Sequence, residues 1–536
     1  MWESFNKLLD KWAWERPEKP AVVQSARRIS YRVLRERACA LAQSWAERGI
    51  APGDRIVSYC GNTLEAVISL AACWRSGAVF VPLNPSIKPS KLGRILDELE
   101  PAVIVAPRGK LPDLRRIAAS AAHMPTLCAT DTETTRELHE FAFGTGGTSE
   151  GDFDLQAFWR LAAKPSSEDI HGLQAIPGNP AAILYTADGV GGTRGVVLSR
   201  ENLAFASEAA DRYLRNTSED ILVSALPVSL GYGLQQAVGI LRAGGTLVLE
   251  PSFAYPTAVL QTIERTRATG FPIVPSMAGI LLCVDVERFD LSSLRYIVNF
   301  GGPLATEHVA RLAEAFPGAG LWSSYGRTEC LHTAFAPLDA TGAGSGRVGK
   351  AFTEIDARVV DEKGETTAPE VAGTLAVCGP NVMLGYWRRP QATESVLRGN
   401  SRTGGREFAC ADRFRTDLDG NLYFVGRGDD TLEIGGETAA PREIEAVLRT
   451  HPGVVDAMVY EDRDELTLDG RICAVVRLRR KEQVSHRELQ MFCAEHLEDF
   501  MIPAVIRVRH QAIPAARFHE RARTPRTSST PGRTDR

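Results

Sequence analysis

Short apolar runs alternate along this chain with segments whose apolar residues recur at helical spacing. Residues 1–50 predict an opening helix, a hairpin over AVVQSARRISY and a second amphipathic helix carrying Leu34, Ala38, Leu41, Ala42 and Trp45 on one face. From Asp54 the runs RIVSYC, VFVPLN and AVIVAP are separated by EAVISLAACWRSG and KLGRILDEL. Strand and helix signals in such alternation point to a largely parallel sheet. Residues 129–175, rich in Thr, Ser, Gly and Glu, break the pattern and are expected to form a variable loop or lid-side insertion. Ala181 to Tyr185 predicts a buried strand, followed by a turn bearing Gly189, Gly191, Gly192 and Gly195 and a new apolar run at Val196. The alternation resumes with ILVSALP, GGTLVLEP, FPIVPS, LRYIVNFGG and LWSSYG.

From Gly346 the β segments shorten to ARVVDEKGE, GTLAVCG and FRTDLDGNLYFVG, with DEKGE and DLDG as expected hairpin turns. A compact α+β module begins near Asp430 and holds PREIEAVLRTH, DAMVY, RICAVVRLR and SHRELQMFCAEHL. Ser485 with Glu488 predicts a capping box at the start of the last helix. The end, RFHERARTPRTSSTPGRTDR, has six arginines and almost no apolar residue, and is expected to be a disordered basic tail. The chain thus divides into residues 1–426, 427–517 and 518–536. The fold class is α/β, with a large N-terminal domain of mixed, largely parallel sheets and a small α+β C-terminal domain.

The length of 536 residues is more than one core organises. Apolar content of 44%, charged content of 24% and a net charge of −4 give no global signal for nucleic acid or membrane. Ten cysteines without a CxxC pair indicate neither a zinc site nor a disulfide framework, so reduced thiols in a cytoplasmic protein are expected. The opening MWESFNKLLDKWAWERPEK lacks the apolar core of a signal peptide. No apolar run approaches the ~18 residues of a membrane helix.

Chemistry concentrates in a few stretches. Glycines in ILYTADGVGGTRGVVLS let the backbone approach a ligand and present N–H groups, as phosphate-cradling loops do. SSYGRTEC sets Tyr325, Gly326, Thr328 and Glu329 in a row. A carboxylate there suits a hard cation bridging phosphate oxygens, and a hydroxyl suits donation to a phosphate.

These stretches resemble the adenylate-forming superfamily of acyl-CoA synthetases, amino-acid-activating domains and luciferases. YTADGVGGTRG (185–195) is similar to its phosphate loop YTSGTTGxPKG, and YGRTE to its YGxTE element. GGPL (301–304) stands where the family has its adenine-side loop. EFACADRFRTDLDGNLYFVGRGDD (407–430) resembles TGD…GYxxxxGRxDD, and ALPVSLGYGLQQA (225–237) the acyl-pocket element. GIAPGDRIVSYCGNTLEAVISLAACWRSGAVFVPLNP resembles the family's opening, so the likeness runs from about residue 5 to 515.

The resemblance implies ATP or AMP as nucleotide, Mg²⁺, and CoA or phosphopantetheine as acceptor, with a small-molecule carboxylic acid as substrate and an acyl carrier protein as a further partner. It places Thr186, Gly191, Gly301, Gly302 and Gly326 around the nucleotide. Tyr325 falls beside adenine, Thr328 on the α-phosphate and Glu329 on the metal. Asp412 falls on the ribose hydroxyls, where a carboxylate accepts two O–H donors, and Arg427 on the ribose or phosphate. Arg194 is the cation left in the phosphate loop. Tyr232, Gly233 and Gly301 fall on the acyl pocket, and Asp429 on the hinge about which the family's small domain rotates. A Gly-Gly in EIGGETAAPRE (433–443) falls on the pantetheine tunnel.

The departures have direction. No acid stands at Leu230 or Gly231, which argues for a simple carboxylic acid over an α-amino acid. The loop's hydroxyls and lysine become Ala187, Gly189, Val190 and Arg194, and Asp188 replaces a glycine beside the β/γ-phosphates. That like-charge contact is worth roughly 4 kcal/mol per pair at ~4 Å and an effective dielectric near 20. Glu520, in PAARFHE, falls on the family's C-terminal catalytic lysine; no lysine follows Lys481, and Arg517 and Arg521 are the nearby cations. Both losses strike the first half-reaction, whereas Thr328, Glu329, Asp412 and Arg427 are kept. The expected function is an ATP/Mg-dependent acid–thiol ligase, with a place in secondary metabolism. The alternatives are an adenylation-deficient homologue that binds AMP or acyl-AMP for acyl transfer or condensation, and a non-catalytic scaffold.

Overall fold

The computed structural model describes residues 5–118, 125–131, 155–163, 178–187, 192–338, 346–400, 402, 404–428, 432–434, 437–463, 470–479 and 484–509. The fold is α/β, with a large N-terminal part built on two sheets and a smaller C-terminal unit. The eight-stranded sheet has the order Gly385–Tyr386, Thr193–Ser199, Pro180–Ala187, Val79–Pro82, Arg55–Ser58, Val103–Ala106, Thr126–Ala129, Leu155–Ala157. It is parallel from Pro180–Ala187 onward. The fourteen-stranded sheet is parallel through Pro20–Gln24, Thr246–Leu249, Ile221–Ser224, Gly270–Ile273, Tyr296–Asn299 and Gly320–Arg327. It then turns antiparallel through Cys330–Pro337, Arg347–Ala351, Leu422–Arg427 and Arg406–Thr416.

Helices Leu64–Ser76 and Gly231–Arg242 are buried along nearly their whole length. A helix without a polar face must be covered on every side, and these are: one apolar core joins them to Phe80 and Val105 of the first sheet and Val248, Ile273 and Val298 of the second. On the other face of the eight-stranded sheet, Leu92, Ile95 and Leu99 of Pro89–Leu99 pack on Val57, Val81 and Ile104. A third core lies between Ala439 and Ile506, under the strands Val454–Arg463, Gly470–Leu478 and Val505–Arg509. Among the described residues no helix is long and apolar enough to cross a membrane.

Two local expectations need amendment, the loop at 129–175 and the capping box at Ser485. Within residues 129–175 the chain forms the strand Leu155–Ala157 and the single turn Phe158–Leu161. Buried Phe158 and the Trp159 indole, which donates to Glu65 Oε1 at 3.1 Å, tie it to the core, a tertiary contact that its polar flanks conceal. Residues 132–154 and 164–175, and the tail 518–536, lie outside the described residues. DEKGE is a hairpin-like turn, held by the Asp361 carboxylate accepting from the Lys363 and Glu365 N–H groups and closed by an antiparallel bridge between Val360 and Thr366, while Asp356–Val360 also pairs with the later strand Gly373–Cys378. DLDG does join paired strands, with Gly420 at φ 79° and Asp417 accepting the Asn421 N–H. Of the capping box expected at Ser485, one half forms among the described residues, Ser485 Oγ accepting the Glu488 N–H at 3.1 Å; a full capping box stands at Ser199 and Asn202, where asparagine does the work of the usual Glu or Gln.

Candidate active site

The SSYGRTEC stretch folds as a tight hairpin. Strand Gly320–Arg327 pairs with Cys330–Pro337, Arg327 opposite Cys330, so Thr328 and Glu329 make the two-residue turn. Gly326 is demanded by close approach: a Cβ there would lie 2.5 Å from the His332 nitrogen and 3.0 Å from the Cys330 oxygen, both backbone. The turn opens on a cavity of about 700 Å³.

Glu329 is nearly buried. Its Oε1 accepts from the Tyr386 hydroxyl at 3.0 Å, and its Oε2 lies 3.7 Å from Arg327 Nε. Asp412 stands on Arg406–Thr416, opposite Arg427 of the neighbouring strand. Tyr325 donates to its Oδ2 at 2.8 Å, Arg327 Nη1 donates to its Oδ1 at 2.8 Å, and Arg427 Nε lies 3.8 Å from Oδ1. Burial raises the Tyr325 hydroxyl well above the ordinary tyrosine range, so it stays a donor to that carboxylate. Cys410, at the place of the family's threonine, accepts the Asp412 N–H through Sγ at 3.4 Å, and burial keeps its thiol protonated.

Thr186 is the penultimate residue of the strand Pro180–Ala187, opposite Arg194. Thr186 Oγ1 and Ser324 Oγ, on two residues lining the cavity, have no hydrogen-bond partner among the described residues. Gly301 sits at φ 89° and Gly302 receives a hydrogen bond on its carbonyl from Asn299 at 2.8 Å. Tyr232 stacks on Phe300 at 4.3 Å and donates to the Val298 carbonyl at 3.2 Å. A Cβ at Gly233 would lie 2.1 Å from the Pro227 carbonyl oxygen, so this glycine serves backbone packing. A Cβ at Gly231 would instead meet Leu331 and Leu184 at 3.4 and 3.5 Å, on the apolar end of the cavity.

The cavity therefore gathers Thr186, Tyr232, Gly233, Gly301, Gly302, Tyr325, Gly326, Thr328, Glu329, Asp412 and Arg427. Arg194 is not among the lining residues: its guanidinium lies 4.9 Å over the ring of Tyr386, the tyrosine that donates to Glu329. Asp188, Gly189, Val190, Gly191, Asp429, the Gly-Gly at 435–436, Arg517, Glu520 and Arg521 fall outside the described residues. Sequence reasoning missed Arg327, Tyr386 and Lys91. Arg327 carried a signal, a charge inside the YGRTE motif; Tyr386 and Lys91 carried none. The small unit closes one side of the cavity with Glu437, Glu461, Glu498 and Phe500. Asn84 donates to Glu437 at 3.0 Å, and Lys91 Nζ lies 2.9 Å from Glu498 and 3.7 Å from Glu443.

Unclaimed hydroxyls, paired carboxylates and an apolar end fit a nucleotide joined to an acyl group. Glu329 Oε1 accepts from Tyr386, and Oε2 has the Arg327 ion pair at 3.7 Å; with no group of three His, Cys, Asp or Glu among the described residues, Mg²⁺ would be held here by this one carboxylate together with the nucleotide's phosphates.

The family model for AMP-binding enzymes matches residues 9–387, and that for the AMP-binding enzyme C-terminal domain matches 443–518. The chain belongs to the AMP-binding enzyme family. It is 27% identical over 511 residues to a dimodular nonribosomal peptide synthase from Bacillus subtilis, covering 92% of this chain but only 20% of that protein. It is 30% identical over 469 residues to indoleacetate–CoA ligase from Aromatoleum aromaticum, covering 86% of this chain and 85% of the ligase. Its fold matches the amide bond synthetase from Marinactinospora thermotolerans with a TM-score of 0.79 at 24% identity, over 96% of both chains.

Proposed function

We propose that this protein activates a carboxylic acid with ATP and transfers the acyl group to a thiol, of CoA or of a carrier protein's phosphopantetheine. In the first step a carboxylate oxygen attacks the α-phosphorus and pyrophosphate leaves. In the second a thiolate attacks the acyl carbonyl and AMP leaves. The observation that carries this reading is the convergence of Thr328, Asp412, Arg427 and Gly301 on one cavity whose other end is apolar. Thr328 donates to the α-phosphate, Asp412 accepts the ribose hydroxyls, and Gly301–Gly302 lies along adenine. Leu184, Leu226, Leu230, Val274, Phe300 and Leu331 line the acyl end, which favours an apolar or aromatic acid over an α-amino acid. Relatives that are a CoA ligase and a peptide synthase support the two acceptors.

The division at residues 426 and 427 fits a large part holding the nucleotide and a small part that reorients about Asp429. A reducing compartment, the cytoplasm, suits ten free cysteines of which nine are buried. Incubation with ATP, CoA and a panel of aryl, arylacetic and aliphatic acids tests the function by mass spectrometry. An acyl-CoA with any acid supports it; AMP release without acyl-CoA moves the acceptor to a carrier protein. A second reading, use of an adenylate supplied by another enzyme, is favoured by Glu520 standing at the lysine position, and predicts no ATP consumption with any acid.

A further inference from the structure

Arg327 has no role among those proposed above. Its guanidinium lies between the two carboxylates of the nucleotide end, Nη1 at 2.8 Å from Asp412 Oδ1 and Nε at 3.7 Å from Glu329 Oε2. The Arg327, Asp412 and Glu329 side chains are 17%, 5% and 6% exposed. The carboxylates are themselves anchored, Asp412 by the Tyr325 hydroxyl and Glu329 by the Tyr386 hydroxyl, so the guanidinium is fixed in place. Thr328 joins Arg327 to Glu329 in the chain, and all three line the cavity.

Charge explains why a cation here matters. Glu329 and Asp412 are balanced by Arg327 and Arg427; without Arg327 an incoming phosphate would meet a net negative wall. A metal ion on Glu329 would sit against this guanidinium as a like charge. The planar fork of arginine matches phosphate oxygens as it matches carboxylate oxygens, and unlike a metal ion it needs no recruitment.

We propose that Arg327 is the resident cation for the nucleotide's phosphate, holding a nucleoside monophosphate at the YGRTE turn without a divalent ion on Glu329. The inference rests on the nucleotide site proposed above and adds the group that reads the phosphate.

Calorimetry of the full chain with AMP and with adenosine, in EDTA and in excess MgCl₂, tests it on the wild type, R327Q and R327K. The wild type is expected to prefer AMP over adenosine by the same factor in both media. R327Q should lose roughly 10- to 100-fold in AMP affinity, the span of a charge-assisted contact, with adenosine changed by about threefold or less. R327K should recover part of the AMP preference, and it carries the test if melting shows R327Q unfolded. A parallel loss of AMP and adenosine would make Arg327 a holder of Asp412 alone and overturn the inference. So would a wild-type AMP preference that disappears in EDTA. A wild type that binds neither ligand would overturn the nucleotide site itself and the inference with it.

Discussion

Lys91 stands on helix Pro89–Leu99 of the large part and reaches Glu498 and Glu443 of the small one at 2.9 and 3.7 Å. Its side chain is 13% exposed and theirs 4% and 12%. Replacing Lys91 by Met removes the cation bridging two nearly buried carboxylates and leaves only the more distant Arg94 acting on Glu443. Breaking a buried pair from one side costs about 3–5 kcal/mol. Here the units can relieve part of that by separating, so about 3 kcal/mol is expected, or roughly a hundredfold in the docking equilibrium. Hydrogen exchange read by mass spectrometry resolves it. In K91M, exchange should rise across Glu437–Ala439 and Pro441–Thr450, while the inner strand Gly470–Leu478 keeps its protection. Burial already raises the Glu443 carboxyl above its ordinary range, with Lys91 pulling it down. A raised carboxyl contributes stability at low pH that is lost as pH rises, so K91M should dock better at about pH 5 than at about pH 8. The triple variant K91M/E443Q/E498Q should recover most of the docking, because it leaves no unpaired buried charge. Unchanged exchange in K91M on both sides of the contact would refute this account of how the units are joined.

Gly233→Ala should cost about 3 kcal/mol or abolish soluble expression, since its Cβ would collide with the Pro227 and Leu226 carbonyls rather than with a movable side chain; a melting temperature within a degree or two of wild type would contradict the packing role. Burial lifts the Asp211 carboxyl from 3.8 to about 7, against the hydrogen bond that Asn216 donates to it at 3.0 Å. Its contribution to stability is present below the unfolded value near 4 and is lost as pH rises towards 7, so Asp211→Asn should raise the melting temperature at pH 8 but not at about pH 4.

Much of the fold was legible because its signals are local. RIVSYC, VFVPLN and AVIVAP have the apolar continuity of strands buried on both faces, and they pair in parallel as expected. The motif residues Tyr325, Gly326, Thr328 and Glu329 lie next to one another in the chain, and Asp412 joins them through a contact spanning 85 positions. That closure came from resemblance to a family, since no periodicity links residues so far apart. What stayed hidden was tertiary. Glycine is glycine in sequence, yet Gly233 packs on a carbonyl while Gly231 faces apolar cavity side chains. Tyr386 reaches Glu329 across 57 positions and Lys88 reaches the Ala494 carbonyl across 406, with nothing in the local pattern to mark either.

The most direct test of the proposed function is ATP–[³²P]pyrophosphate exchange by the full chain across fatty, aromatic and short acids. Exchange that depends on one class of apolar or aromatic acid is the predicted result, and it would place acyl-adenylate formation in this cavity despite Asp188 and Glu520. No exchange with any acid, from protein that binds AMP tightly, would contradict the ligase and leave transfer from a supplied adenylate as the function of the site.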